Sequence, residues 1–267
     1  MSRQGTRRDG HTGCATDGMM ASMTTKPVAV VTGSSSGIGA AAARLFAAQG
    51  FDVVCAARRA ERIESLAAEI GGRAVVTDIA DPMDVARLAE VAGPRVDVLV
   101  NNAGGAVGLE PVAEADFDAW EVMWRSNVLG TARVTKALLP AMLAAQGVIV
   151  FVTSVAADAG YEGGAGYCGA KAAERALVES MRLELFDQPV RITEISPGMV
   201  QTDFALTRFQ GDQTRADAVY AGVPGPLTPE DVADAIVWMA TRPSHVNIDR
   251  MTIRPRAQAK HKVHRLG

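Results

Sequence analysis

Seven apolar runs of strand length recur between residues 27 and 255: PVAVVT (27–32), FDVVCAA (51–57), RAVVT (73–77), VDVLVN (96–101), GVIVFVT (147–153), RITEIS (191–196) and RMTIRP (250–255). They are rich in Val and Ile and lack polar alternation, the pattern of strands covered on both faces of a parallel sheet. Helix-length segments separate them, among them GIGAAAARLFAAQG (37–50) and RRAERIESLAAEIGG (58–72), both closed by glycine. This alternation predicts right-handed βαβ crossovers and an α/β fold. The expected architecture is a doubly wound parallel sheet of about seven strands with helices on both faces, in a single domain. Ligands of such sheets sit at the carboxyl ends of the strands, near the switch in strand order.

Composition narrows the class. The 267 residues are 48% hydrophobic and 21% charged, as in a globular protein with a sizeable core. A net charge of -3 supplies no basic field for nucleic acid. No unbroken apolar run approaches the roughly 18–20 residues of a membrane helix, so no membrane partner is expected. The three cysteines, Cys14, Cys55 and Cys168, are odd in number and lack metal-like spacing, which suits a reducing cytoplasm and predicts no metal. Residues 1–26 are polar, without period and without the apolar stretch of a signal peptide, and read as a disordered extension. The domain is expected over 27–255, and the basic segment 256–267 reads as a solvated tail.

The first predicted strand runs into TGSSSGIG, Thr32 to Gly39, and directly into a helix. Gly33, Gly37 and Gly39 permit a tight turn, and amides of Ser35, Ser36 and Ile38 can approach a pyrophosphate at the helix N-terminus. The spacing is G-x3-G-x-G rather than G-x-G-x-x-G. An NAD site would place a carboxylate at the end of the second strand. Here stand Ala57, Arg58 and Arg59. Two cations opposing a helix N-terminus are better explained by a ligand phosphate, which makes NADP(H) the expected cofactor.

Tyr167 and Lys171 are four residues apart in GYCGAK, which places a phenol and an ammonium on one helical face. By itself the pair reads equally as a buried tyrosine beside a snorkelling lysine. The rest of the chain decides. TGSSSGIG, NNAG (101–104), Asn127, Ser154, YCGAK and SPGMVQT (196–202) occur in the order and spacing that resemble the short-chain dehydrogenase/reductases, over roughly 27–255. GLEPV (108–112), TRFQGD (207–212) and ATRPSHVNID (240–249) are most similar to the NADP-dependent 3-hydroxy acid dehydrogenases, which include serine and allo-threonine dehydrogenases.

The resemblance implies a Rossmann-like fold and a carbonyl/alcohol oxidoreductase. It assigns Tyr167 as general acid and base, and Ser154 as the donor to the substrate oxygen. Lys171 would favour phenolate and bind the nicotinamide ribose, and Asn127 would hold a water that relays the proton. Asp78 and Ile79, ending the third strand, would flank the adenine. Asn101, Ala103 and Gly104 would line the cofactor channel, and Pro197, Gly198, Val200 and Thr202 the nicotinamide end. The family also implies a small-molecule substrate and a homotetramer or homodimer. A carboxylate substrate needs a cationic partner in a partly dry pocket. Arg208 is the expected anchor, Arg215 a second choice, with an Arg208–Asp212 ion pair as the bland alternative. A general ketone reductase and a noncatalytic NADP(H)-sensing protein are the rival functions.

Overall fold

Alternate side chains of each strand enter opposite cores. Ala29 and Val31 of β1 (Val28–Thr32) pack into one apolar cluster, and Val30 into the other. β2 (Asp52–Ala57) and β5 (Val148–Val152) divide the same way, Val148, Val150 and Val152 against Ile149 and Phe151. A period of two with both sides buried explains the continuous apolar runs. With β3 (Arg73–Val76), β4 (Val98–Asn101), β6 (Arg191–Pro197) and β7 (Arg250–Ile253), they form a seven-stranded sheet in the order β3-β2-β1-β4-β5-β6-β7. Every pairing in it is parallel. The order reverses between β1 and β4, and that switch point locates the site.

The computed structural model describes residues 26–260 and 262–266. Nearly all of the expected N-terminal extension, and Cys14, lie outside the described residues.

α1 (Gly37–Ala48), α2 (Ala60–Ile70) and α9 (Pro229–Ala240) contribute to the first core. In α1, Ala40 to Ala43 are buried in succession, small enough to bring its backbone close to both the sheet and α9. α9 begins with a capping box in which Thr228 and Asp231 satisfy each other's amides, with Pro229 at the first turn. The second core takes α3 (Pro82–Ala92), α5 (Thr131–Ala145) and the buried side of α6 (Ala165–Glu184). α4 (Phe117–Trp124) joins α5 through a π turn, Arg125–Gly130. Two short helices, α7 (Phe204–Arg208) and α8 (Gln213–Tyr220), follow β6.

Two expectations change. The continuous helical run Phe117–Ala145 contains an 18-residue stretch of mean hydropathy 1.3, long and apolar enough to cross a membrane by length and composition. Its average rests on Leu, Val, Met and Ala, interrupted by Arg133 and Lys136, so a search for unbroken apolar runs passes over it. In the fold it packs on β4, α3 and α6. The basic tail is also not a solvated terminus over its described residues. β8 (Gln258–Ala259) and β9 (Lys262–Val263) form an antiparallel hairpin, and Leu266 N–H donates to Gly222 O at 2.7 Å. Docked backbone bonds, rather than apolar burial, hold this segment.

Candidate active site

The carboxyl end of β1 is built around glycine. Gly33 has φ +68° and Gly37 φ +54°, left-handed conformations that favour glycine. A Cβ on Gly39 would stand 2.6 Å from Asn102 Nδ2, so no side chain fits there. Thr32 ties the loop to β4: its Oγ1 donates to Val100 O at 3.1 Å and accepts from the amides of Asn102 and Ala103 at 3.0 Å. Asn102 Nδ2 donates to Thr32 O at 2.9 Å.

The cationic end lies next to this loop. Arg59, at the N-cap of α2, donates from Nη2 to Ser35 Oγ at 2.8 Å and Ser36 Oγ at 2.6 Å. Burial, then repulsion from Arg62 and Arg58, holds the Arg59 guanidinium below its ordinary value. Arg62 is paired with Asp203 at 3.0 Å, whereas among the described residues neither Arg58 nor Arg59 has a carboxylate within ion-pair distance. A glycine cradle at a helix N-terminus with two uncompensated guanidinium groups fits a phosphorylated dinucleotide. Asp78 and Ile79 fall just past β3, which stops at Val76, and not at its end as expected. Ala80 N–H donates to the Asp78 carboxylate at 2.9 Å, and Ile79 is buried beside Gly130.

A cavity of about 510 Å³ opens at the carboxyl ends of β4, β5 and β6. Ile38, Gly104, Ser154, Tyr167, Lys171, Pro197, Gly198, Val200, Thr202 and Arg208 all line it. Ser154 caps a short 3₁₀ turn: its Oγ accepts from Ala156 N–H at 3.1 Å, which leaves the hydroxyl proton free to donate. Tyr167 and Lys171 lie one turn apart on α6 and are both buried, and the Tyr167 ring meets Phe204 of α7 edge-on at 5.6 Å. Lys171 Nζ donates to Val152 O at 3.2 Å and to Glu174 Oε2 at 2.7 Å.

Other positions differ from expectation. Asn101 does not line the cavity: it is buried, and its Nδ2 donates to Thr135 Oγ1 at 2.9 Å. Its neighbour Asn102 lines it instead. At a strand end, consecutive side chains point to opposite faces, and the sequence NN alone does not say which faces the ligand. Asn127 sits in the π turn rather than in a regular helix, and its amide is fully engaged. Nδ2 donates to Met123 O at 2.8 Å and Gly105 O at 2.9 Å, and Oδ1 accepts from Gly105 N–H at 3.2 Å.

Arg208 pairs with no carboxylate among the described residues, and Asp212 instead caps α8. The Arg208 Nε donates to Gly108 O at 2.7 Å and Nη1 to Tyr161 OH at 3.0 Å, and its Cζ is 6.0 Å from the Tyr167 ring centre. Burial pushes the Tyr161 phenol up while Arg208 opposes that shift. Arg215 lies away from the cavity, 3.5 Å from Glu110 and stacked 4.3 Å over Phe209. Sequence reasoning missed Tyr161 and Tyr220, which line the cavity with Tyr167. It also missed Arg254, Gln258 and Lys260, brought there by β7 and the hairpin. Gln258 Oε1 accepts from Met199 N–H at 2.8 Å, a contact between residues 59 apart in sequence that no local pattern signals.

Comparison with known proteins agrees with this geometry. The family model for short chain dehydrogenases matches residues 27–213. An uncharacterized oxidoreductase of Mycobacterium tuberculosis is 60% identical over 237 residues, 88% of this chain and 94% of that protein. Serine 3-dehydrogenase of Agrobacterium fabrum is 40% identical, with 85% of this chain and 92% of that protein covered. The closed form of a serine dehydrogenase complexed with NADP+ superimposes with a TM-score of 0.84 at 35% identity, covering 90% of this chain and 100% of that one. Sequence, sheet order and site together make this chain a member of the short chain dehydrogenase family.

Proposed function

We propose that the protein is an NADP(H)-dependent oxidoreductase interconverting a small 3-hydroxy acid, of the serine or allo-threonine type, and its carbonyl form. NADPH, when bound, would supply the hydride for the carbonyl carbon. Tyr167 delivers the proton to the carbonyl oxygen, and takes it back in the oxidative direction. Ser154 Oγ, accepting from Ala156 N–H, directs its own proton at that oxygen and stabilises the charge developing there. Lys171 holds a positive charge beside Tyr167 and favours the phenolate. Asn127 anchors the Gly105 segment through its side chain, so a relaying water falls to main-chain groups of the π turn, where the helical hydrogen-bond pattern is already interrupted. Gly33, Ser35, Ser36, Gly37, Ile38, Gly39, Arg58 and Arg59 cradle the adenosine half of the cofactor. Gly104, Pro197, Gly198, Val200 and Thr202 receive the nicotinamide half.

The substrate class rests on one observation. Arg208 is a half-buried guanidinium on the cavity wall, near Tyr167, held by neutral oxygens and not by a carboxylate. A substrate carboxylate supplies the missing anion. Arg208→Ala is expected to raise KM for 3-hydroxy acids about 10–150-fold, the equivalent of roughly 1.5–3 kcal/mol for a hydrogen bond to a charged group. Neutral ketones of similar size should be spared, as followed by NADPH absorbance. Equal losses on both substrate types would reject the anchor and favour a general ketone reductase. The names of the relatives support the class, since serine is a 3-hydroxy acid. We also propose a homotetramer or homodimer, supported by Phe117 and Trp124 of α4, which are 66% and 46% exposed in the single chain.

A further inference from the structure

Lys171 has a partner that none of the motifs above includes. Glu174 lies three residues further along α6, its carboxylate 1% exposed and 2.7 Å from an ammonium that is itself 5% exposed. A carboxylate this dry stays charged only against a partner charge: burial pushes the Glu174 carboxyl up, and Lys171 opposes that shift. We propose that Glu174 is a positioning residue for Lys171: it fixes the ammonium beneath Tyr167 and keeps it charged through catalysis.

The geometry leaves Lys171 little freedom. Glu174 and the Val152 carbonyl of β5 accept two of its three N–H donors, so one remains for the cofactor side of the cavity. The groups facing it are Tyr167 and Glu174 on α6 and Glu194 on β6. Glu194 is itself buried, accepts from Thr153 Oγ1 at 2.6 Å and lies 3.5 Å from Arg250 of β7. From the start of α5, Thr131 faces Glu174 with a hydroxyl and adds no charge. Burial is the largest single influence and works to lower the Lys171 ammonium, but Glu174, Tyr167 and Glu194 together outweigh it, Glu174 most of all. The net direction is up. Removing the Glu174 charge takes away the largest opposition to burial, so Lys171 would lose its proton at lower pH.

The proposal rests on Lys171 serving the reaction as proposed above, but not on the substrate class. The experiment therefore uses whichever alcohol turns over fastest. Wild type, Glu174→Gln, Lys171→Met and the double variant are compared. In the protein without cofactor, each single variant should lower Tm on the order of 10 °C, and the double variant should regain most of it, as for a broken and then removed buried pair. In oxidation, Glu174→Gln should cut kcat at least about tenfold with little change in substrate KM, and bring the alkaline decline in rate at least about one pH unit lower. In the Lys171→Met background it should cost nothing further, and Glu174→Asp should restore the wild-type pH profile. Wild-type kcat and pH profile in Glu174→Gln, with only Tm reduced, would make Glu174 structural and overturn the proposal. An active Lys171→Met overturns the lysine's role and the proposal with it. Should Glu174→Gln fail to fold, wild-type kcat in a Lys171→Met/Glu174→Gln protein, or a Tm there below that of Lys171→Met alone, overturns it equally.

Discussion

Tyr167 and Lys171 share a volume because a helix returns to the same face after one turn, and α6 points that face into the cavity at the strand ends. Deleting the phenolic hydroxyl while keeping the ring tests this at the smallest scale. Tyr167→Phe is expected to reduce kcat about 10²–10⁴-fold, the usual worth of a positioned acid-base group. Calorimetry should find NADP+ affinity nearly unchanged, and a variant retaining over half of wild-type kcat, with chemistry rate-limiting, contradicts the role. At the other end, Arg59 is tied to the serine hydroxyls of the glycine loop, while Arg58 is exposed beside it. Arg58→Ala should therefore weaken NADPH about 10–150-fold relative to NADH, from roughly 1.5–3 kcal/mol of lost charge-assisted contact. Equal losses for both cofactors would assign Arg58 to the fold. These residues were legible in the sequence because each depends on local chemistry: a turn, a helical spacing, a strand end. Asn101 and Asn102 were not separable, since only the twist and depth of β4 decide which amide meets Gly33 and which meets Thr135.

At the level of elements, the wall opposite the catalytic helix is made by α7, α8 and the C-terminal hairpin. Arg208 crosses from α7 to Gly108 and Tyr161, so one side chain links three segments around the cavity. The hairpin closes the far side. Gln258 holds Met199, and Arg265 donates to Val219 O at 3.0 Å and also to Ala221 O. Ending the chain at residue 256 removes these bonds. The shortened protein should melt several degrees lower, at about 2–4 °C for each kcal/mol lost in a domain of this size. Its substrate KM should rise while kcat changes less, because the lost contacts shape the pocket wall and not the Tyr167 face. Unchanged Tm and KM in differential scanning calorimetry and turnover would show the hairpin to be dispensable. Its basic, weakly apolar sequence hides this role, since the contacts are polar bonds from Gln258 and Arg265 to distant backbone groups. The π turn was equally hidden. Nothing in RSNVLG announces it, and the packing of Asn127 against Gly105 and Met123 stabilises it in place.

For the whole molecule, α4 and the α6 terminus carry several of the large apolar side chains left exposed in the single chain. Leu183 and Phe186 are 78% and 84% exposed. Light scattering is expected to report a dimer or tetramer, and Trp124→Glu to shift it toward smaller species. A monomeric wild type would instead reserve this face for another purpose. The strand positions, the glycine loop and the Tyr167–Lys171 spacing were determined by the sequence alone. Each follows from short-range rules: burial on two faces, positive φ at glycine, one turn of helix. Tertiary structure decided the rest. It seated Glu174 under Lys171, turned Arg208 from Asp212 to Tyr161, and folded the C-terminal segment over the pocket. Glu174 stands at helical spacing from Lys171, but only burial of that helical face makes the pair matter. The Arg208 and Gln258 contacts join segments whose separation in sequence carries no periodic signal, and the energy selecting them is the satisfaction of polar groups that packing has already removed from water.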